Sequence, residues 1–183
     1  MSRRRALFLD KDGVINVNHG YVCTPERTDF IDGIFDLCRM STQHGFLNVV
    51  VTNQAGIARG YYTEQGFMRY MDWVREEFRK RGAQLDAVYY CPHHPVHGRG
   101  DNLLDCDCRK PKPGMLLKAA RDLDLDLAGS VLLGDSVSDI AAGHAAGVGT
   151  LVELPVSEQS EILSTSLDET SVRRVCDALI RLD

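Results

Sequence analysis

Apolar positions in this chain fall into short runs separated by longer stretches with a helical repeat. The runs at 6–9, 46–51, 87–90, 131–133 and 150–152 predict buried strands. Between and after them, apolar residues recur with helical spacing and predict helices at 34–43, 64–81, 115–123, 137–146 and 171–182. Pro113-Gly114 punctuates the start of the third of these helices. Strands alternating with helices predict an α/β fold with a doubly wound, mostly parallel sheet. No repeat, low-complexity tract or linker divides the chain, so residues 1–183 are expected to form one domain. Two insertions interrupt the alternation, at 14–32 and 91–111, and neither is large enough for a cap domain.

Composition narrows the class. The 183 residues are 44% hydrophobic, enough for one full core. The net charge is -5 and the cations form no stripe, which argues against a nucleic-acid-binding surface. No apolar run approaches the roughly 20 residues of a membrane span. The basic lead in MSRRRALFLD is followed by too short an apolar stretch for a signal peptide. A soluble, cytoplasmic monomer with six reduced cysteines is the expectation.

Candidate chemistry sits where strands end. The first run delivers Asp10 and Asp12, followed by Gly13. Ligands of open α/β sheets bind at the carboxyl ends of the strands, and two carboxylates there can divide nucleophilic and proton-transfer work. The second run ends in Thr52-Asn53-Gln54, whose hydroxyl and amides can donate to a phosphoryl oxygen. The stretch 56–60 reads as flexible and carries one guanidinium, Arg59, able to grip an anion. Arg109-Lys110 precedes Pro111, offering a fork and a compact charge. The fourth run ends in Asp135, which with Asp10 suits Mg²⁺, and Asp139 follows one helical turn later to brace the site. Each signal is weak alone, but all four place at a strand or loop end a group that phosphoryl transfer needs.

The insertion 91–108 reads CPHHPVHGRGDNLLDCDC. Cys91 and His93, with Cys106 and Cys108, make a Cys₃His set suited to a closed structural zinc site, with His94 and His97 as competing ligands. The last ligand runs directly into Arg109-Lys110, so a metal here would orient both cations. Cys23, Cys38 and Cys176 lack such spacing and read as ordinary residues, and Trp73 with Met71 and Phe78 reads as helix packing.

In this order, Asp10-x-Asp12, Thr52, Lys110 and Asp135 with Asp139 resemble the motifs of the haloacid dehalogenase superfamily of phosphatases. The resemblance implies that Asp10 is the nucleophile, passing through an aspartyl-phosphate. It implies that Asp12 is the acid and base, that Thr52 and Lys110 hold the phosphoryl group, and that Asp10, Asp12 and Asp135 bind Mg²⁺. Within the superfamily, DKDGVINVNHGYV, VVVTNQAGIARGYYT, YYCPHHP and CDCRKPKPGM are similar to the heptose 1,7-bisphosphate phosphatase family. That likeness implies substrate contacts at Asn18, His19, Gly20, Tyr21, Asn53, Gln54, Ala55 and Arg109, with Arg59 joining Arg109 around a second phosphate. It implies a small sugar bisphosphate as the partner, removal of its C7 phosphate, and a place in the making of activated heptose for lipopolysaccharide. Ser136 departs from the family pattern, which has a basic residue after the fourth-motif Asp, and the tail after Leu154 shows little likeness. The competing expectations are a histidinol-phosphate phosphatase and, from another class, a zinc-dependent nucleic-acid-binding module.

Overall fold

The computed structural model describes residues 3–155 and 166–181. Five parallel strands form one sheet: β1 (Arg5–Leu9), β2 (Phe46–Asn53), β3 (Ala87–Cys91), β4 (Val131–Gly134) and β5 (Thr150–Glu153), in spatial order β3-β2-β1-β4-β5. The helices are α1 (Ile34–Gln43), α2 (Ala55–Arg59), α3 (Glu64–Lys80), α4 (Gly114–Leu123), α5 (Val137–Ala146) and α6 (Glu169–Arg181). Alternate strand residues feed two cores, as a sheet covered on both faces requires. Leu7, Leu9, Val50 and Leu133 pack with residues of α1, α3 and α6, whereas Ala6, Phe8, Val49 and Leu132 pack with residues of α4 and α5. Phe78 is buried among these residues and Trp73 stacks on Phe30, so both serve packing.

The chain winds outward from central β1 to β2 and β3, then returns to β4 on the other side of β1. Strand order therefore reverses between β1 and β4, and a crevice opens at their carboxyl ends. Element positions follow the apolar pattern closely, with shifts of one or two residues at several ends. Leu182, the last residue of the expected final helix, lies outside the described residues. The difference in kind is at 56–60. It forms most of the short helix α2, ended by Gly60 in the left-handed region, with buried Ile57 and Ala58 holding it against the core. Two glycines conceal this helix from a propensity reading, and tertiary packing supplies what propensity lacks.

Candidate active site and metal-binding cluster

A cleft of about 450 Å³ lies over the β1–β4 crevice. It is lined by Asp10 and Asp12 just after β1, Thr52 to Ala55 at the end of β2 and the start of α2, and Asn18, Gly20 and Tyr21 from the first insertion. Lys110 and the 135–139 turn complete its polar wall. The turn and β1 approach so closely that a Cβ on Gly13 would lie 1.8 Å from Asp135 Oδ2. Gly134 is equally confined, since a Cβ there would lie 2.3 Å from that of Asp139.

Lys110 is the hub. Its side chain is 3% exposed and donates to Asp10 Oδ1 and to the Val51 carbonyl, each at 2.8 Å, while also pairing with Asp139. Burial works against the ammonium charge, but Asp10 and then Asp139 outweigh it and hold the pKa above its ordinary value. Asp139 is fixed in turn by Ser136, whose hydroxyl donates to Oδ2 at 2.6 Å and whose backbone N–H donates at 3.1 Å. Ser136 is thus the N-cap of α5 in a capping box with Asp139.

Three carboxylates crowd this point around one ammonium. Burial, less offset by Lys110, pushes Asp10 up to about 6. Burial, followed by the like charges of Asp10 and Asp139, pushes Asp135 up to about 7. Ligand oxygens of Asp10, Asp135 and Asp139 lie within 4.8 Å of one another and could hold a metal ion. Hard oxygen donors with excess negative charge fit a hard divalent cation. With Asp139 committed to Lys110 and Ser136, Asp10 and Asp135 are the carboxylates best placed to serve as ligands.

Asp12 sits beside Asp10 with Oδ2 toward Gln54, whose Nε2 is 3.4 Å away and also donates to Thr52 Oγ1 at 2.9 Å. Tyr62, which the sequence reading did not single out, lines the cleft and donates to Gln54 Oε1 at 2.7 Å. Asn53 spends its amide on the backbone of Lys110: Nδ2 donates to the carbonyl at 3.1 Å and Oδ1 accepts from the N–H at 3.0 Å. The last residue of β2 therefore clamps the motif that carries the lysine.

The remaining expected contacts stand outside the cleft lining. His19 Nε2 pairs with Asp29 at 2.7 Å. Arg109 Nη1 donates to the His93 carbonyl at 3.2 Å, so it is turned toward the second insertion. Arg59 lies over the ring of Tyr21, 6.0 Å from its centroid, and its buried Nε has no hydrogen-bond partner. Arg109 and Arg59 nevertheless share a neighbourhood. Partial burial, then Arg109, His97 and Arg59, lowers the pKa of His94.

Cys91, His93, Cys106 and Cys108 converge at the end of β3 and could hold a metal ion. Their sulfurs are separated by 3.0–3.4 Å, and His93 Nδ1 lies 3.4 Å from Cys108 Sγ. Those spacings approach the edges of about 3.8 Å expected for a tetrahedron with zinc–sulfur bonds near 2.3 Å. All six cysteines are free thiols. His94 is excluded from the set because its Nδ1 accepts the backbone N–H groups of Val96 and His97. Among the described residues, no helix is long and apolar enough to cross a membrane.

Comparison with known proteins agrees with this geometry. A family model described as "HAD-hyrolase-like" matches residues 107–175. The chain is 46% identical to D-glycero-beta-D-manno-heptose-1,7-bisphosphate 7-phosphatase of Vibrio cholerae, over 97% of each chain. It is 49% identical to the D-glycero-alpha-D-manno-heptose-1,7-bisphosphate 7-phosphatase of Burkholderia mallei, over 90% of this chain and 87% of that one. Among solved structures, a putative HAD-like phosphatase from Mesorhizobium loti superposes with a TM-score of 0.87 at 34% identity, covering 98% of this chain and 88% of that one. D,D-heptose 1,7-bisphosphate phosphatase from B. bronchiseptica, complexed with magnesium and phosphate, superposes with a TM-score of 0.78 at 29% identity, over 97% and 98%. The chain belongs to the D-glycero-D-manno-heptose-1,7-bisphosphate 7-phosphatase family of HAD-like hydrolases.

Proposed function

We propose that this protein hydrolyses the C7 phosphate of D-glycero-D-manno-heptose 1,7-bisphosphate through an aspartyl-phosphate on Asp10. The observation that carries the reading is the Asp10–Lys110 pair at the base of the cleft, with Asp12 on the same wall. Asp10 attacks phosphorus while Asp12 gives its proton to the departing sugar oxygen. Asp12 then takes a proton from the water that opens the acyl phosphate. Lys110 and Thr52 hold the phosphoryl oxygens. Asp10, Asp12 and Asp135 would hold Mg²⁺, which would supply charge compensation for the transferring group. The Cys₃His cluster holds Zn²⁺ as a closed structural site.

A bisphosphate needs a second anion grip. The turn Asn18–Tyr21 borders the cleft, and Arg109 and Arg59, which stand outside its lining, are the cations assigned to the second phosphate; with Asn53, Gln54 and Ala55 these residues form the proposed substrate surface. His19 acts on that surface through the turn it anchors to Asp29.

The test is phosphate release with Mg²⁺ present, from both anomers of the heptose bisphosphate and from histidinol phosphate. The bisphosphate should give the higher kcat/KM, and Asp10→Asn should abolish turnover. A preference for histidinol phosphate would move the substrate assignment to that enzyme, and near-normal turnover by Asp10→Asn would remove the covalent route.

A further inference from the structure

The residue between the two aspartates is a lysine that hydropathy alone would place in solvent, yet Lys11 is 0% exposed. Its ammonium has three N–H groups and three acceptors. They are Asp12 Oδ1 at 2.5 Å, the Val22 carbonyl at 3.0 Å and Asn16 Oδ1 at 3.2 Å. The Tyr70 ring lies 5.3 Å away. Every donor is used, so the charge is fixed in place.

That fixed charge distinguishes the two oxygens of Asp12. Oδ1 accepts from Lys11 and also from Asn16 Nδ2 at 3.0 Å, and Asn16 is itself fully buried. An oxygen facing two donors cannot also present a proton to a substrate. Oδ2 has only the long contact with Gln54 Nε2, on the cleft side.

We propose that Lys11 is a positioning residue for the acid–base step, and that with Asn16 it makes Oδ2 the Asp12 oxygen that carries the transferable proton. The inference rests on the function proposed above. As the Asp10–phosphorus bond forms and the ester P–O bond breaks, the proton on Asp12 Oδ2 passes to the departing alkoxide. Oδ2 is left as the carboxylate oxygen that receives a proton from the attacking water. Without Lys11 the carboxyl group is free to rotate, and the proton is divided between a productive and an unproductive oxygen.

Leaving-group dependence separates this role from a merely structural one. A sugar alkoxide needs a proton as it departs, and p-nitrophenolate does not. The ratio kcat/KM reports events through the first irreversible step, so it isolates phosphorylation of Asp10. For Lys11→Met, kcat/KM on the heptose bisphosphate should fall roughly 10- to 100-fold, part of the 10²–10⁴-fold worth of general acid catalysis. On p-nitrophenyl phosphate the fall should stay within about threefold, because little of that acid contribution is in play. Asn16→Ala removes one Oδ1 donor while leaving the charge pair, and should show the same selectivity at smaller amplitude. It carries the test if Lys11→Met does not fold. Equal losses on both esters, or no loss on either, in the folded variant would overturn the proposal. If the wild type prefers histidinol phosphate, the same comparison runs on that alkyl ester. The substrate assignment and the role of Lys11 therefore fail separately.

Discussion

Replacing the proposed nucleophile should stabilise the protein in the absence of magnesium. Asp10 is pushed from 3.8 up to about 6, mainly by burial. A folded-state pKa above the unfolded value means that the native state resists ionisation. The penalty is absent well below pH 4, grows as pH rises from about 4 to 6, and is complete above that. Two units at about 1.4 kcal/mol each set a ceiling near 3 kcal/mol. Asp10 raises Asp135, while Asp139 and Asp12 raise Asp10, so the shifts in this cluster do not add, and roughly 1–3 kcal/mol is expected from Asp10. Asp10→Asn removes the charge while keeping an oxygen that can accept from Lys110. Urea unfolding of wild type and variant in magnesium-free buffer, at pH 4.5 and pH 7.5, reads the difference directly. The Cys₃His cluster is common to both chains, so its own pH dependence cancels. The variant should be the more stable at pH 7.5, and the gap should shrink by roughly two thirds at pH 4.5. Millimolar Mg²⁺ should then close the gap at pH 7.5, because only the intact carboxylate set gains the binding energy. A variant less stable than wild type at pH 7.5, or a gap unchanged between the two pH values, would refute the electrostatic reading.

Cys106→Ser should lower the zinc content measured by atomic absorption and reduce the melting temperature, since a structural metal contributes folding energy directly. Arg109→Ala should cost roughly 10- to 100-fold in kcat/KM on the bisphosphate and little on a small phosphate ester, as loss of one charge-assisted contact is worth about 1.5–3 kcal/mol. Equal loss on both esters would place Arg109 at the reacting phosphoryl group instead. Ser136→Ala removes the N-cap of α5 and a donor to Asp139, and should cost about 0.5–2 kcal/mol by urea titration.

The strand ends were legible because a buried parallel strand is an unbroken apolar run, and its last residue announces the site. Local pattern therefore puts Asp10, Thr52 and Asp135 at strand ends, and the structure brings the three to one cleft. What stayed hidden depends on partners distant in sequence. Asn53 reads as a ligand donor, but its amide meets the backbone of Lys110, 57 positions away. Lys11 carries no signal in the sequence, because hydropathy cannot register an ammonium whose donors are all used. Tyr62 gave only one signal: a Cβ on Gly56 would lie 2.4 Å from its ring, so the glycine marks where the tyrosine packs. The choice of His93 over His94 required the turn that occupies His94 Nδ1.

The two chemical centres are joined through a few covalent and hydrogen-bonded steps. Cys108 enters the sulfur cluster, Arg109 returns to the His93 carbonyl, and Lys110 is clamped by Asn53 before reaching Asp10. Cys91 is paired with Asn53 across the sheet, and the Cys91 carbonyl accepts the N–H of Gln54. The second insertion has almost no regular structure of its own beyond the turn Gly100–Asn102. A metal at its base would therefore do more than close a loop. It would fix the backbone from which the buried lysine extends, on the side of the site that the first strand does not supply. The nucleophile comes with the fold of β1, whereas the cation opposing it depends on a segment that thiolate ligation can hold in place.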